Sequence, residues 1–297
     1  MEREIVLSMQ NICKSFGPVQ VLENVDLQLG RGEVMGLIGE NGAGKSTLIK
    51  ILCGIYHADS GEIILNGKNV SIPTAQAAKD LGISTIYQEL SIIPDLNAVQ
   101  NIFLNRELAP GNSLFSKLKY SEMKEKARKV LEEELKVQMD LDIPLKYVPL
   151  AQKQMVLIAK AIRSECNFLI LDEPTAPLSN TETEELFRIV QHLHKTENIA
   201  ILFISHRLNE ILEICENYTV MRNGKIIDTT PVTGQTTTKE IVEKMLGRAF
   251  EENFPKEACE IGEMLFETLH LSGARGKVKD VSIQVKSGEV VGIAGLV

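Results

Sequence analysis

Gly39-Glu40-Asn41-Gly42-Ala43-Gly44-Lys45-Ser46-Thr47 carries the spacing G-x-x-x-x-G-K-[ST] at every fixed position. Its flanks supply the context that such a loop needs. An apolar run, Val34-Met35-Gly36-Leu37-Ile38, leads in as a strand, and Ser46-Thr47-Leu48-Ile49-Lys50-Ile51-Leu52 continues as a helix that Gly54 can end. Glycines let successive backbone N–H groups curl around an anion without Cβ clashes, and the helix N-terminus adds partial positive charge. The predicted contacts of a nucleoside triphosphate are Gly39, Asn41, Gly42, Gly44, Lys45, Ser46 and Thr47. Lys45 reaches the β- and γ-phosphates in this reading, and the Ser46 hydroxyl ligates Mg²⁺. A glycine-rich turn that binds nothing is the plain alternative, and the lysine, the hydroxyl and the flanking periodicity argue jointly against it.

Upstream, Ile5 to Ile12 reads as a strand ending near a Phe16-Gly17-Pro18 turn, and Val25 to Leu29 as a second. Phe16 admits two readings, a stacking face for adenine or a core aromatic. Downstream, Asn66-Gly67 and Asn223-Gly224 each supply the two left-handed residues of a tight hairpin. Ile83 to Tyr87 is a short strand that delivers Gln88. From about Leu96 to Tyr147 the strand signal disappears. Leu96 to Leu104 has helical spacing, and Ser121 is expected to cap a charged amphipathic helix carrying Ala127, Val130, Leu131 and Leu135.

The alternation then resumes. Ala151 to Ile162 is expected as a helix with Lys160 facing away from its apolar stripe, and Asn167 to Leu171 as a strand ending on Asp172 and Glu173. Thr181-x-x-Glu184 is expected to be the capping box of the next helix. Ile199 to Ser205 is a buried strand ending on His206, and Ile241 to Leu246 a short helix. Ligand-type residues at strand ends specify a largely parallel sheet with its site there. Asp172 would hold Mg²⁺ through water, and Glu173 would orient or deprotonate the attacking water. Taken alone, the acidic pair also fits a helix cap, and His206 a satisfied strand-end histidine. Beside Lys45, Gln88 and Glu173, His206 becomes the expected sensor of the γ-phosphate.

The 297 residues suffice for one large domain or two small ones. Net charge is −8 and the sequence pI about 5.3, which argues against nucleic acid as the main partner. The longest aliphatic-aromatic run, Ile199 to Ile204, is too short to cross a bilayer, and the N-terminus opens no signal-peptide core. Cys13, Cys53, Cys166, Cys215 and Cys259 form no C-x-x-C pair and are expected to be buried thiols in a reducing cytosol.

In order, Phe16, the loop Gly39 to Thr47, Gln88, Val148-Pro149-Leu150-Ala151-Gln152, Leu171-Asp172-Glu173-Pro174-Thr175, Ala176-Pro177-Leu178-Ser179 and Ile204-Ser205-His206 resemble an ABC-transporter ATPase subunit along the whole chain. The resemblance implies a P-loop NTPase core of α/β class with a mostly parallel sheet, an N-terminal antiparallel β subdomain and a helical subdomain inserted at about 96–160. It makes Gln88 the Q-loop glutamine, a catalytic and Mg²⁺-coordinating residue beside Glu173, His206, Ser46 and Asp172. Val148 to Gln152 becomes the signature, with Pro149, Leu150, Ala151 and Gln152 acting on a partner's ATP. Ser179 sits at the end of the D-loop. Such ATPases pair head to tail, each ATP lying between one phosphate loop and the partner's signature.

Tyr87-Gln88-Glu89-Leu90, Asn101 to Glu107, Gln154 to Ala161 and Met245-Leu246-Gly247-Arg248 resemble the ribose/galactose/xylose-type branch, whose chains carry two ATPase domains in tandem. Val25 to Gly39 aligned with Val281 to Gly295 repeats Val25/Val281, Gln28/Gln284, Gly32/Gly288, Glu33/Glu289, Val34/Val290, Gly36/Gly292 and Gly39/Gly295. The expected organisation is an ATPase domain over 1–250, a linker over 251–262, and the incomplete start of a second domain over 263–297. The implied activity is ATP hydrolysis with Mg²⁺, powering monosaccharide import through a membrane permease fed by a solute-binding protein. The implied location is peripheral, on the cytoplasmic face of the inner membrane. A non-transport ABC ATPase and a fragment that binds ATP with little hydrolysis are the rivals. Pro149 departs from the family's usual serine and offers neither hydroxyl nor N–H. In the tandem branch it would face the second domain's weaker site, leaving the site of Lys45, Glu173 and His206 to turn over.

Overall fold

A computed structural model describes residues 3–87, 91–109, 117–163, 166–248, 259–273 and 278–294. Close contacts divide the chain into two units, Met1–Phe250 and Glu251–Val297. In the first, the strands are β1 (Ile5–Phe16), β2 (Val19–Gly30), β3 (Val34–Ile38), β4 (Ser60–Leu65), β5 (Lys68–Val70), β6 (Ile83–Ile86), β7 (Phe168–Asp172), β8 (Ala200–Ile204), β9 (Asn217–Arg222) and β10 (Lys225–Pro231). The helices are α1 (Lys45–Leu52), α2 (Ala75–Asp80), α3 (Ala98–Phe103), α4 (Tyr120–Arg128), α5 (Leu150–Arg163), α6 (Asn180–Thr196), α7 (Leu208–Ile214) and α8 (Thr238–Leu246).

Two sheets organise this unit. The antiparallel one runs β2-β1-β4-β5, and the larger runs β10-β9-β3-β8-β7-β6, parallel except where β10 returns against β9. The short apolar runs of β3, β7 and β8 become central strands because both of their faces are covered. Alternate residues enter two different cores. Val34, Ile38, Leu169, Leu171, Ile201 and Phe203 pack with Phe103, Met155, Leu186, Ile211 and Ile241 from the helices on one side. Met35, Leu37, Phe168, Ile170, Leu202 and Ile204 pack with Leu48, Ile49 and Leu52 of α1 and with β1 and β2 on the other. The expected α/β core, antiparallel N-terminal sheet and helical insertion are therefore present. Both hairpin turns are as read: Asn66 and Gly67 have φ of 48° and 74°, Asn223 and Gly224 of 49° and 76°.

Three local expectations are corrected. Ser121 lies inside the first turn of α4, not at its cap, and the helix begins at Tyr120 without a side-chain cap. A tertiary bond from Asn97 Nδ2 to the Tyr120 hydroxyl (2.8 Å) anchors that end instead. The chain passes from α4 into a π-helical turn, Lys129–Glu134, which holds the buried Val130 and Leu131. The box that opens α6 is Ser179/Glu182, not Thr181/Glu184, since Ser179 Oγ accepts from the Glu182 N–H and Glu182 Oε2 accepts from the Ser179 N–H. Both pairs have the right spacing, but the turn closed by Leu178 N–H on Thr175 O starts the helix two residues earlier. Lys160 is half-buried, and burial pushes its ammonium below the ordinary lysine range with Lys79 and Arg163 adding repulsion. Of the cysteines, Cys53, Cys166 and Cys215 are buried, Cys13 is partly so and Cys259 is exposed.

The described part of the second unit is a hairpin of β11 (Met264–Leu271) and β12 (Val281–Lys286). It repeats the backbone of β1 and β2 in detail. Left-handed residues recur at Asn11 and His270 (φ 51° and 50°), Asn24 and Asp280 (47° and 52°), and Gly32 and Gly288 (58° and 73°). Three side-chain closures recur with them. Asp26 Oδ1 accepts the Asn11 N–H at 2.7 Å, as Ser282 Oγ accepts that of His270 at 3.1 Å. Cys13 Sγ accepts the Asn24 N–H at 3.3 Å, as Ser272 Oγ accepts that of Asp280 at 3.0 Å. Glu33 Oε2 accepts the Gly30 N–H at 2.6 Å, as Glu289 Oε2 accepts that of Lys286 at 2.9 Å.

Candidate nucleotide site

Strand β3 is buried at every residue and ends on Ile38, immediately before Gly39. A Cβ on Gly39 would lie 2.2 Å from the carbonyl oxygen of Met221, so only glycine lets the loop leave the sheet beside β9. Gly44, at φ 106°, turns the chain into α1, and the Leu48 N–H closes the first turn on Gly44 O at 3.0 Å. Lys45 Nζ donates to the carbonyls of Gly39 (2.7 Å) and Glu40 (3.0 Å), which holds the ammonium against the loop. Burial pushes this lysine below its ordinary range, against the pull of Glu173 and Asp172.

Residues Asn41 to Thr47 line a cavity of about 300 Å³ together with Val21, Asp172, Glu173 and Ile204. The carboxyl ends of β3, β7 and β8 thus meet at one place, as parallel strands joined by helices require. Burial and the neighbouring Glu173 raise the Asp172 carboxyl above the usual carboxylate range, while Lys45 and Lys50 partly offset this. Glu173 has a left-handed backbone, φ 48°, and its N–H donates to Ile204 O of the adjacent strand at 2.9 Å. His206 follows β8 and sets its Nδ1 3.3 Å from Glu173 Oε2. A larger hollow of about 690 Å³ between α6 and α7 contains none of these loop residues or strand-end carboxylates.

Phe16 lies outside this cavity lining. It is 43% exposed at the end of β1, which excludes the core reading, and it meets Tyr56 edge-on at 5.1 Å with Lys14 Nζ 5.5 Å from its ring. Gln88 falls outside the described residues. Pro149 and Leu150 are exposed at the start of α5, Ala151 is buried, Gln152 is half-buried, and none of the four lines the Lys45 cavity. Pro149 O accepts the Lys153 N–H at 3.1 Å, so proline occupies the helix-cap position, where its lack of an N–H breaks no helical bond.

Residues 22–176 match the family model described as ABC transporter. The chain belongs to the ABC transporter family. It is 43% identical over 294 residues to a ribose import ATP-binding protein of Caldanaerobacter subterraneus subsp. tengcongensis, covering 99% of this chain and 58% of the relative. A ribose import ATP-binding protein of Rubrobacter xylanophilus is 45% identical over 98% of this chain and 57% of its own length. The chain therefore spans somewhat over half the length of these relatives. Among solved structures, the ADP conformation of an ATP-binding cassette of an ABC transporter superposes with a TM-score of 0.69 at 27% identity, covering 82% of this chain and 99% of that one. A nucleotide-free cassette of an ABC transporter gives 0.68 at 28%, covering 82% and 95%.

Two polar residues of this ABC family member escaped the sequence reading. Gln154 is buried on α5 and its Nε2 donates to Pro174 O at 2.5 Å, one residue past Glu173. Glu210 is buried on α7, a helix of 7 residues, too short for periodicity to reveal. Gln154 belongs to the stretch Gln154 to Ala161, whose spacing marks a helix but gives no partner for the amide, and Glu210 carries no local signal.

Proposed function

We propose that this chain binds Mg-ATP at the Lys45 cavity and hydrolyses it to drive uptake of a ribose-type sugar through a membrane permease. The observation that carries the reading is the convergence of the loop Asn41 to Thr47 with Asp172 and Glu173 around one cavity, with His206 in contact with Glu173. Loop N–H groups and Lys45 meet the phosphates, Glu173 takes a proton from the attacking water, and His206 contacts the γ-phosphate side. The Ser46 hydroxyl and the Asp172 carboxylate are hard oxygen donors on one cavity wall and fit Mg²⁺. Ser46 and Asp172 would hold the ion as part of a shell completed by other oxygen donors. Bound there, a divalent ion would supply positive charge that offsets the charge developing on the phosphates. Gln88 completes this set as its Q-loop member.

The names of the relatives support the sugar-import assignment, and with it a permease, a solute-binding protein and a peripheral place on the cytoplasmic face. Among the described residues no helix is long and apolar enough to cross a membrane. The domain reading takes 1–250 as one ATPase domain, 251–262 as linker and 263–297 as the start of another. It is supported by the recurrence of three left-handed positions and three side-chain closures between the two hairpins. In the paired assembly the Pro149–Gln152 segment faces a partner's phosphate loop.

Lys45→Ala tests the site. It removes the fixed cation over the loop, and calorimetric affinity for Mg-ATP is expected to fall at least about tenfold, as loss of a charge-assisted bond of about 1.5–3 kcal/mol implies. Unchanged affinity would sink the assignment.

A further inference from the structure

Glu173 and His206 stand on the ends of neighbouring strands, joined by the Glu173 N–H to Ile204 O bond and by their own side-chain contact. Glu173 has a left-handed backbone, and the His206 side chain is 62% exposed. Beneath them lies Glu210 on α7, only 7% exposed. Its Oε2 accepts two hydroxyl donors, Thr175 Oγ1 at 2.7 Å and Ser205 Oγ at 2.6 Å. Thr175 is two residues past Glu173, Ser205 immediately precedes His206, and both are buried. Ser205 Oγ in turn accepts the Arg207 N–H at 3.0 Å, and Arg207 Nη1 donates to Glu210 Oε1 at 3.3 Å. One carboxylate oxygen therefore ties the segment after β7 to the segment after β8.

We infer that Glu210 is the positioning residue that sets Glu173 and His206 in register for hydrolysis, acting through Thr175 and Ser205. The inference rests on the roles given above to Glu173 and His206. An ionised carboxylate suits the task because it only accepts, so both hydroxyls must point at it and no alternative donor pattern competes. The two O–H···O⁻ distances lie in or close to the short, charge-assisted range. Arg207 Nη1, 3.3 Å from the other carboxylate oxygen, sets a positive charge beside this buried group. Without Glu210 two buried hydroxyls lose their common acceptor, and the segments beyond the Glu173 N–H to Ile204 O bond lose a side-chain tie between them.

The test uses the full chain labelled with ¹⁵N-histidine near neutral pH, comparing the wild type with Glu173→Gln, Glu210→Ala and Glu210→Gln. Glu173→Gln moves the His206 ring signals because it removes the facing charge. Glu210→Ala is expected to move them in the same direction although Glu173 is intact, and Glu210→Gln to move them less, since its amide oxygen still accepts from the hydroxyls. If Glu210→Ala does not fold, Ser205→Ala, which cuts only the tie to His206, takes its place. In the complete assembled protein Glu210→Ala should lower kcat about tenfold to a hundredfold, the scale of a small misplacement of reacting groups, with KM for ATP nearly unchanged. A folded variant with wild-type His206 signals overturns the proposal. So does a parallel loss of kcat, KM and melting temperature that Glu210→Gln fails to rescue, for that pattern marks general destabilisation. If Glu173→Gln hydrolyses ATP at the wild-type rate while Glu210→Ala still moves the His206 signals, the hydrolytic reading fails and the positioning role stands.

Discussion

His206 Nδ1 lies 3.3 Å from Glu173 Oε2, although 32 residues separate them in the sequence. The contact exists because β7 and β8 are parallel neighbours in register, with Asp172 opposite Ile204. Residues one and two places beyond those partners then emerge on the same edge of the sheet.

That juxtaposition makes a sharp prediction for Glu173→Gln. The carboxamide keeps the shape of the site but cannot accept the proton of the attacking water. Hydrolysis by the assembled protein should fall by about 10²–10⁴-fold, the usual worth of a general base, while ATP affinity changes little. Turnover at the wild-type rate would show that the residue is only structural.

Gly39→Ala and Gly42→Ala should separate space from backbone strain. At Gly39 a methyl would enter the Met221 carbonyl, a rigid backbone group, whereas a Cβ on Gly42 meets nothing within 4 Å and suffers only from φ 85°. Gly39→Ala is expected to cost about 1–3 kcal/mol from overpacking, and Gly42→Ala about 1–2 kcal/mol from the left-handed backbone alone. Gly39→Ala should also displace the loop and weaken ATP binding. Chemical denaturation of both variants reads the first effect, and calorimetry the second.

Pro149 sits at the cap of α5 without a hydroxyl to offer. Pro149→Ser should stabilise the chain by roughly 1 kcal/mol if the new hydroxyl caps the helix. Where two copies pair head to tail, it should also raise ATP turnover by presenting a donor to the partner's γ-phosphate. An unpaired chain is expected to hydrolyse ATP well below the rate of a head-to-tail pair. Equal rates in unpaired and paired chains, or an unchanged rate in Pro149→Ser dimers confirmed by sedimentation, would contradict this account.

The start of α6 gives a test that does not depend on function. Ser179→Ala should lose about 1 kcal/mol with its capping box, whereas Thr181→Ala should be nearly silent because Thr181 lies within the helix. Equal losses would put the helix start elsewhere.

What the sequence determined by itself is local. A phosphate loop, an Asn-Gly hairpin or an apolar strand between helices is specified by residues a few positions apart, so each was legible as a string and its structure followed. The repeat was legible too, since equal spacing of Gly32, Glu33 and Val34 with Gly288, Glu289 and Val290 needs no fold to be seen. Two pairs with the same capping spacing, Ser179/Glu182 and Thr181/Glu184, could not be ranked locally, because the preceding turn decides which begins the helix. Only the tertiary structure put Gln154 against Pro174, and Glu210 under both Thr175 and Ser205. A buried polar group is tolerated wherever packing brings a partner to it, and the identity of that partner depends on strand order and helix placement across the whole domain.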